Sequence, residues 1–247
     1  MKKQTKIFYF HTPKTAGTTI NSFFVDIFKN SIVHAESKSE SLNDKFLNSY
    51  NFVSGHLSYT HMISMLDANW TKLITFREPY SHVVSHLCWI RKLADVGQEK
   101  RFNEHPAIFQ KISLKMKSLD FSKPEEIIKL EKWLESINFY YLFDNQTIYL
   151  DFDKDISKAI QNLYTIEFVG IMEDIDLFFK IIDREFSFNK KRKIEKENIN
   201  PDKYGFDLTN CKTREALLPF IKKDIIIYEE AKKIIYKQKE LYFRDKV

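Results

Sequence analysis

Two short stretches of the chain carry residue types whose spacing suits the binding of anions. Pro13-Lys14-Thr15-Ala16-Gly17-Thr18-Thr19 gathers a lysine, a glycine and three threonines. Placed between a strand and a helix, such a stretch forms an anion site. Successive backbone N–H groups and the helix N-terminus face the ligand, Lys14 adds charge and the threonine hydroxyls add donors. It differs from the common nucleotide-triphosphate loop, Gly-x-x-x-x-Gly-Lys-[Ser/Thr], because Lys14 precedes Gly17 instead of following a glycine. The second stretch is Arg77-Glu78-Pro79, with Ser85 eight residues beyond Arg77. A planar guanidinium fork and a hydroxyl together suit a phosphate monoester.

These residues need elements that hold them. Ile7–Phe10 is a β-prone run, His11–Gly17 a turn-forming stretch, and Thr18–Phe28 has apolar residues at helical spacing, so the order is strand, tight loop, helix. A polar stretch over Glu36–Asn48 leads to a second junction, where Phe52–Val53 runs into Ser54-Gly55-His56 and a short helix is expected over Tyr59–Leu66. Leu73–Phe76 reads as a buried strand ending at Arg77, with Pro79 at the first turn of a helix extending to Leu93. Three strand-then-helix units in the first 95 residues predict a parallel sheet flanked by helices, with ligands at the carboxyl ends of the strands. Phe102–Ile137 is helical in pattern and is read as an insertion of about residues 100–140 in a single domain spanning residues 1–247. Glu167–Ile171 is a further strand with a helix over Glu173–Ile182, Asn189–Asn200 is a charged loop, and Thr213–Tyr242 is helical with a break at Pro219.

The formal charge of +5, from 39 Lys and Arg against 34 Asp and Glu, suits an anionic ligand but gives no ground for a nucleic-acid partner. With 43% apolar residues the chain excludes disordered and low-complexity classes. Two cysteines, Cys88 and Cys211, build neither a disulfide framework nor a four-cysteine metal site, which fits a reducing compartment. The apolar run at the N-terminus is too short for a signal-peptide core or a membrane span, so a soluble, cytoplasmic protein without stable membrane insertion is expected.

The loop Pro13–Thr19, the segment Gly55-His56-Leu57-Ser58-Tyr59 and the set Arg77, Pro79 and Ser85, in this order, resemble the motifs of sulfotransferases that use 3′-phosphoadenosine 5′-phosphosulfate (PAPS). The resemblance is greatest to the branch containing heparan sulfate 2-O-sulfotransferases and their bacterial relatives. It is specific over residues 7–90 and generic beyond, where Glu167–Ile182 and Asp224…Tyr228-Glu229 fit the family more loosely. It implies a P-loop-like three-layer α/β fold with a central parallel sheet and no metal requirement. It also implies that Pro13, Lys14, Thr15, Ala16, Gly17, Thr18 and Thr19 hold the 5′-phosphosulfate and that Arg77 and Ser85 hold the 3′-phosphate. Lys14 and His56 would be catalytic, Lys14 stabilising the leaving oxygen and His56 taking the proton of an acceptor hydroxyl. The acceptor implied is a carbohydrate, as a glycan or glycolipid, and the spent donor is 3′-phosphoadenosine 5′-phosphate (PAP).

The chain departs from the branch at Ser54, where the branch has a second histidine, and at Ile148, where bacterial relatives have arginine at the end of an Asn-x-x-Thr-Arg segment. Two other classes share a strand–loop–helix phosphate site. One is a small-molecule or nucleotide kinase, which would need magnesium ligands and the Gly-x-x-x-x-Gly-Lys loop. The other is a nucleotide-binding module without chemistry. His82 and His86 share a helical face like a zinc pair but lack the glutamate of His-Glu-x-x-His, Val83 standing in its place, so no metal site is read there. The run Lys190-Lys191-Arg192-Lys193 is read as a solvated loop, the other reading being a patch that gathers an anionic acceptor or closes over the 3′-phosphate.

Overall fold

The computed structural model describes residues 5–188 and 204–243, and the basic run at 190–193 lies outside them. Contacts divide the chain into two compact units, one of residues 1–78, 146–197 and 223–247 and one of residues 79–145 and 198–222.

The first unit is built on a five-stranded sheet of β1 (Lys6–Phe10), β2 (Ser31–Ile32), β3 (Phe52–Gly55), β4 (Trp70–Phe76) and β5 (Phe168–Ile171), in the order β2-β3-β1-β4-β5. Every pairing is parallel; Phe10 stands opposite Gly55 on one side and Ile74 on the other. Parallel strands covered on both faces are apolar throughout, which is why Ile7, Phe8, Tyr9 and Phe10 form an unbroken apolar run, all fully buried. The flanking helices are α1 (Gly17–Ile27), α2 (Asp44–Leu47), α3 (Tyr59–Met62), then α8 (Ile156–Leu163), α9 (Ile175–Phe186) and α11 (Lys222–Phe243). Phe23 of α1 meets Phe179 of α9 at 5.2 Å, and Phe24 stacks on Phe52 of β3 at 4.9 Å, so α1 covers the sheet with aromatic rings. Gly170 lets α9 approach β5: a Cβ there would lie 2.7 Å from the Phe178 ring.

The second unit is helical, with α4 (Pro79–Lys92), α5 (Glu99–Glu104), α6 (Ala107–Lys117), α7 (Pro124–Ser136) and α10 (Cys211–Leu217). The helical pattern over Phe102–Ile137 resolves into three helices. Pro106 starts one turn and Pro124 another, since proline is accepted only where no N–H is needed. Ile112, Met116, Ile127, Leu130 and Leu134 are fully buried, and Phe143 stacks on Phe220 at 4.7 Å. Among the described residues no helix is long and apolar enough to cross a membrane.

Candidate functional site

The strand order reverses at β1: the chain leaves it for β2 and β3 on one side and returns to β4 and β5 on the other. In open parallel sheets ligands bind at the carboxyl ends of the strands beside such a reversal. The loop after β1 lies there and is wound tightly. Lys14 and Ala16 both adopt left-handed backbone, with φ of 66° and 68°. Such turns aim successive N–H groups to one side. No side chain caps the start of α1. The first-turn N–H groups of α1 have no acceptor inside the helix, and its 11 residues give it a positive end.

A buried network fixes the base of this loop. Thr15 Oγ1 donates to the Thr12 carbonyl at 2.7 Å and lies 3.0 Å from Thr75 Oγ1 of β4. Thr75 Oγ1 in turn lies 2.6 Å from the Tyr9 hydroxyl and 3.1 Å from the Thr15 carbonyl. Burial raises the Tyr9 phenol above its ordinary value, so it stays a neutral hydrogen-bonding group. The Thr15 hydroxyl is therefore turned inward, while Thr18 is exposed and Thr19 and Lys14 are half-buried. Pro13 is half-buried beside them. Gly17 is required by its neighbour, because a Cβ there would sit 1.7 Å from His11 Nε2.

Arg77 follows β4 and reaches the same loop, its Nη1 donating to the Lys14 carbonyl at 3.4 Å. Its backbone is clamped by Gln146, which accepts from Arg77 N at 2.8 Å and donates to Arg77 O at 2.9 Å. Gln146 and Thr147 are held by the buried Asp224 carboxylate of α11, which accepts from Gln146 N at 3.1 Å, Thr147 N at 2.8 Å and Thr147 Oγ1 at 2.7 Å. Glu173 Oε1 accepts from Glu78 N at 2.9 Å, and Glu173 Oε2 accepts from the Tyr228 hydroxyl at 2.9 Å. Burial pushes the Arg77 guanidinium below its ordinary value, against the opposite effect of Glu173 and Glu78. Ser85 lies half-buried on α4 in the second unit.

His56 follows β3. Its Nδ1 lies 2.8 Å from the His11 carbonyl, an acceptor only, so Nδ1 carries the hydrogen and the neutral ring keeps its lone pair on Nε2. Its backbone N–H donates to Glu36 Oε2 at 2.9 Å. Burial lowers its pKa, partly offset by the His11 carbonyl and Glu36, while His34 acts with burial. The His11 ring lies 4.3 Å from that of His56. Burial, then His56 and His34, push His11 down to about 3, so it is neutral. Ser54 is fully buried on β3, and its hydroxyl has no hydrogen-bond partner among the described residues.

Loop 13–19, His56 and Arg77 therefore meet at the carboxyl ends of the three adjacent strands β3, β1 and β4. His82 and His86 are both buried on α4, their rings 6.0 Å apart. Sequence reasoning missed Tyr9, Thr75, Glu36 and Gln146. Only Gln146 left a signal, within the Asp144–Ile148 segment. No family model matches the chain, and no curated protein matches it.

Proposed function

We propose that the protein is a PAPS-dependent sulfotransferase acting on a hydroxyl of a carbohydrate acceptor, a glycan or glycolipid. One observation carries the reading: residues of all three motifs that resemble the family converge at the ends of β1, β3 and β4, joined by the Arg77–Lys14 and His56–His11 hydrogen bonds. The strand, loop and helix that begin at the central strand of a parallel sheet support the P-loop-like form of the fold.

The acceptor oxygen attacks sulfur in line as the bond from sulfur to the 5′-phosphate oxygen breaks, and PAP leaves. Lys14 and the N–H groups of Ala16, Gly17, Thr18 and Thr19 stabilise the charge growing on that leaving oxygen. His56 Nε2 takes the acceptor proton. Arg77 binds the 3′-phosphate of the donor.

Calorimetric titration with PAP and with ATP–magnesium, on the wild type and Arg77→Ala, tests this directly. Preference for PAP that is lost with Arg77 is expected. Preference for ATP–magnesium would put a kinase in its place, and binding of PAP without turnover of PAPS on any carbohydrate hydroxyl would leave a binding module.

A further inference from the structure

His34, Glu36 and His56 each offer one ligand atom, and these atoms all lie within 4.8 Å of one another. Among the described residues they are the one group of three or more histidine, cysteine or carboxylate side chains so arranged. Two imidazole nitrogens and a carboxylate are a donor set of zinc sites that keep a fourth position for water or another ligand.

The hydrogen bonds around the group orient the donors. His56 hands its Nδ1–H to the His11 carbonyl at 2.8 Å, as ligating histidines commonly do, which leaves Nε2 as its ligand atom. One oxygen of Glu36 is fixed by His56 N–H at 2.9 Å, and the other faces His34 Nδ1 at 3.2 Å. Gly55 makes room for this carboxylate, since a Cβ there would come within 2.6 Å of Glu36 Oε2. Glu36 and His56 are half-buried and His34 is exposed, so the donors have both a packed base and an open side.

We infer that His34, Glu36 and His56 form a binding site for a divalent transition-metal ion of the zinc type. Metal–ligand bonds of about 2.0–2.2 Å place tetrahedral donors about 3.4 Å apart. Glu36 Oε1 and His34 Nδ1 already stand 3.2 Å apart, and rotation of the exposed His34 side chain, which exchanges that hydrogen bond for a bond to the ion, closes the rest. The ion occupies the Nε2 lone pair through which His56 takes a proton, so bound zinc inhibits sulfuryl transfer. That consequence rests on the sulfotransferase reading, whereas the ion site itself does not.

The full chain, stripped of metal with a chelator, is dialysed against zinc chloride, and cobalt(II) is used in parallel as an optical probe. One equivalent of zinc and the intense visible absorption of four-coordinate cobalt are expected. Glu36→Gln keeps an oxygen for His56 N–H, and His34→Asn suits the left-handed backbone at φ 56°. Each removes a direct ligand and weakens zinc binding by about 100-fold or more, with circular dichroism unchanged. Uptake that neither substitution alters, no uptake at one equivalent, or the weak spectrum of six-coordinate cobalt overturns the proposal. Titration with PAP separates the two readings: zinc binding without PAP binding removes the donor site and leaves the ion site standing, and PAP binding without zinc uptake does the reverse.

Discussion

Replacing Asp224 by asparagine removes the charge from a carboxylate that is 1% exposed and accepts hydrogen bonds from three groups, Gln146 N, Thr147 N and Thr147 Oγ1. A hydrogen bond to a charged acceptor contributes about 1.5–3 kcal/mol and a neutral one about 0.5–1.5 kcal/mol. A loss of about 1 kcal/mol at each of the three bonds gives about 3 kcal/mol. For a chain of this size that lowers the melting temperature by roughly 6–12 °C. The damage extends to Arg77, because Gln146 clamps its backbone N–H and carbonyl. PAP affinity should therefore fall about tenfold, or about 1.4 kcal/mol. Asp224→Ala leaves two N–H groups and one hydroxyl without this acceptor at about 1–3 kcal/mol each, and should accumulate poorly as folded protein. Urea denaturation followed by tryptophan fluorescence, with calorimetry of PAP on the folded fraction, measures both effects. An asparagine variant within about 0.5 kcal/mol of wild type, the range of an ordinary surface change, would refute the view that Asp224 organises this segment.

Further substitutions test other parts of the site. Gly17→Ala places a methyl group 1.7 Å from His11 Nε2 and should cost about 1–3 kcal/mol or more in denaturant unfolding, and unchanged stability would show that the helix start does not need the close approach. Thr75→Val keeps the shape but deprives the buried Tyr9 hydroxyl of its 2.6 Å partner. The expected loss is about 1–3 kcal/mol, and a variant as stable as wild type would remove the network from the account of the loop. His56→Ala should slow turnover about 100- to 10,000-fold while PAP affinity stays within about twofold. Loss of both would assign His56 to the architecture of the site instead of to proton transfer.

Local periodicity and turn chemistry made the three strand-then-helix units of residues 7–93 legible, because apolar runs and breaker residues act within a few positions of one another. The observed bounds, such as Trp70–Phe76 for an expected Leu73–Phe76, shift only at the ends. The two-residue edge strand Ser31–Ile32 and the helix Ile156–Leu163 escaped notice, the first because so short a strand has no period to detect. The loop, Arg77 and His56 were legible as residue types, since charge and backbone freedom at fixed spacing are properties of the sequence.

What supports those residues was decided by tertiary structure alone. Asp224 reaches Gln146 across 78 positions, Thr75 reaches Thr15 across 60, and Glu36 reaches His56 across 20. No local pattern encodes such pairings: they arise when parallel strands bring their carboxyl ends side by side and burial obliges each polar group to find a partner. Local sequence sufficed for the order of elements and for which side chains have the chemistry. The packed sheet determined which of them meet, because only burial across distant segments fixes a carboxylate on two backbone N–H groups or a histidine on the carbonyl of a neighbouring loop.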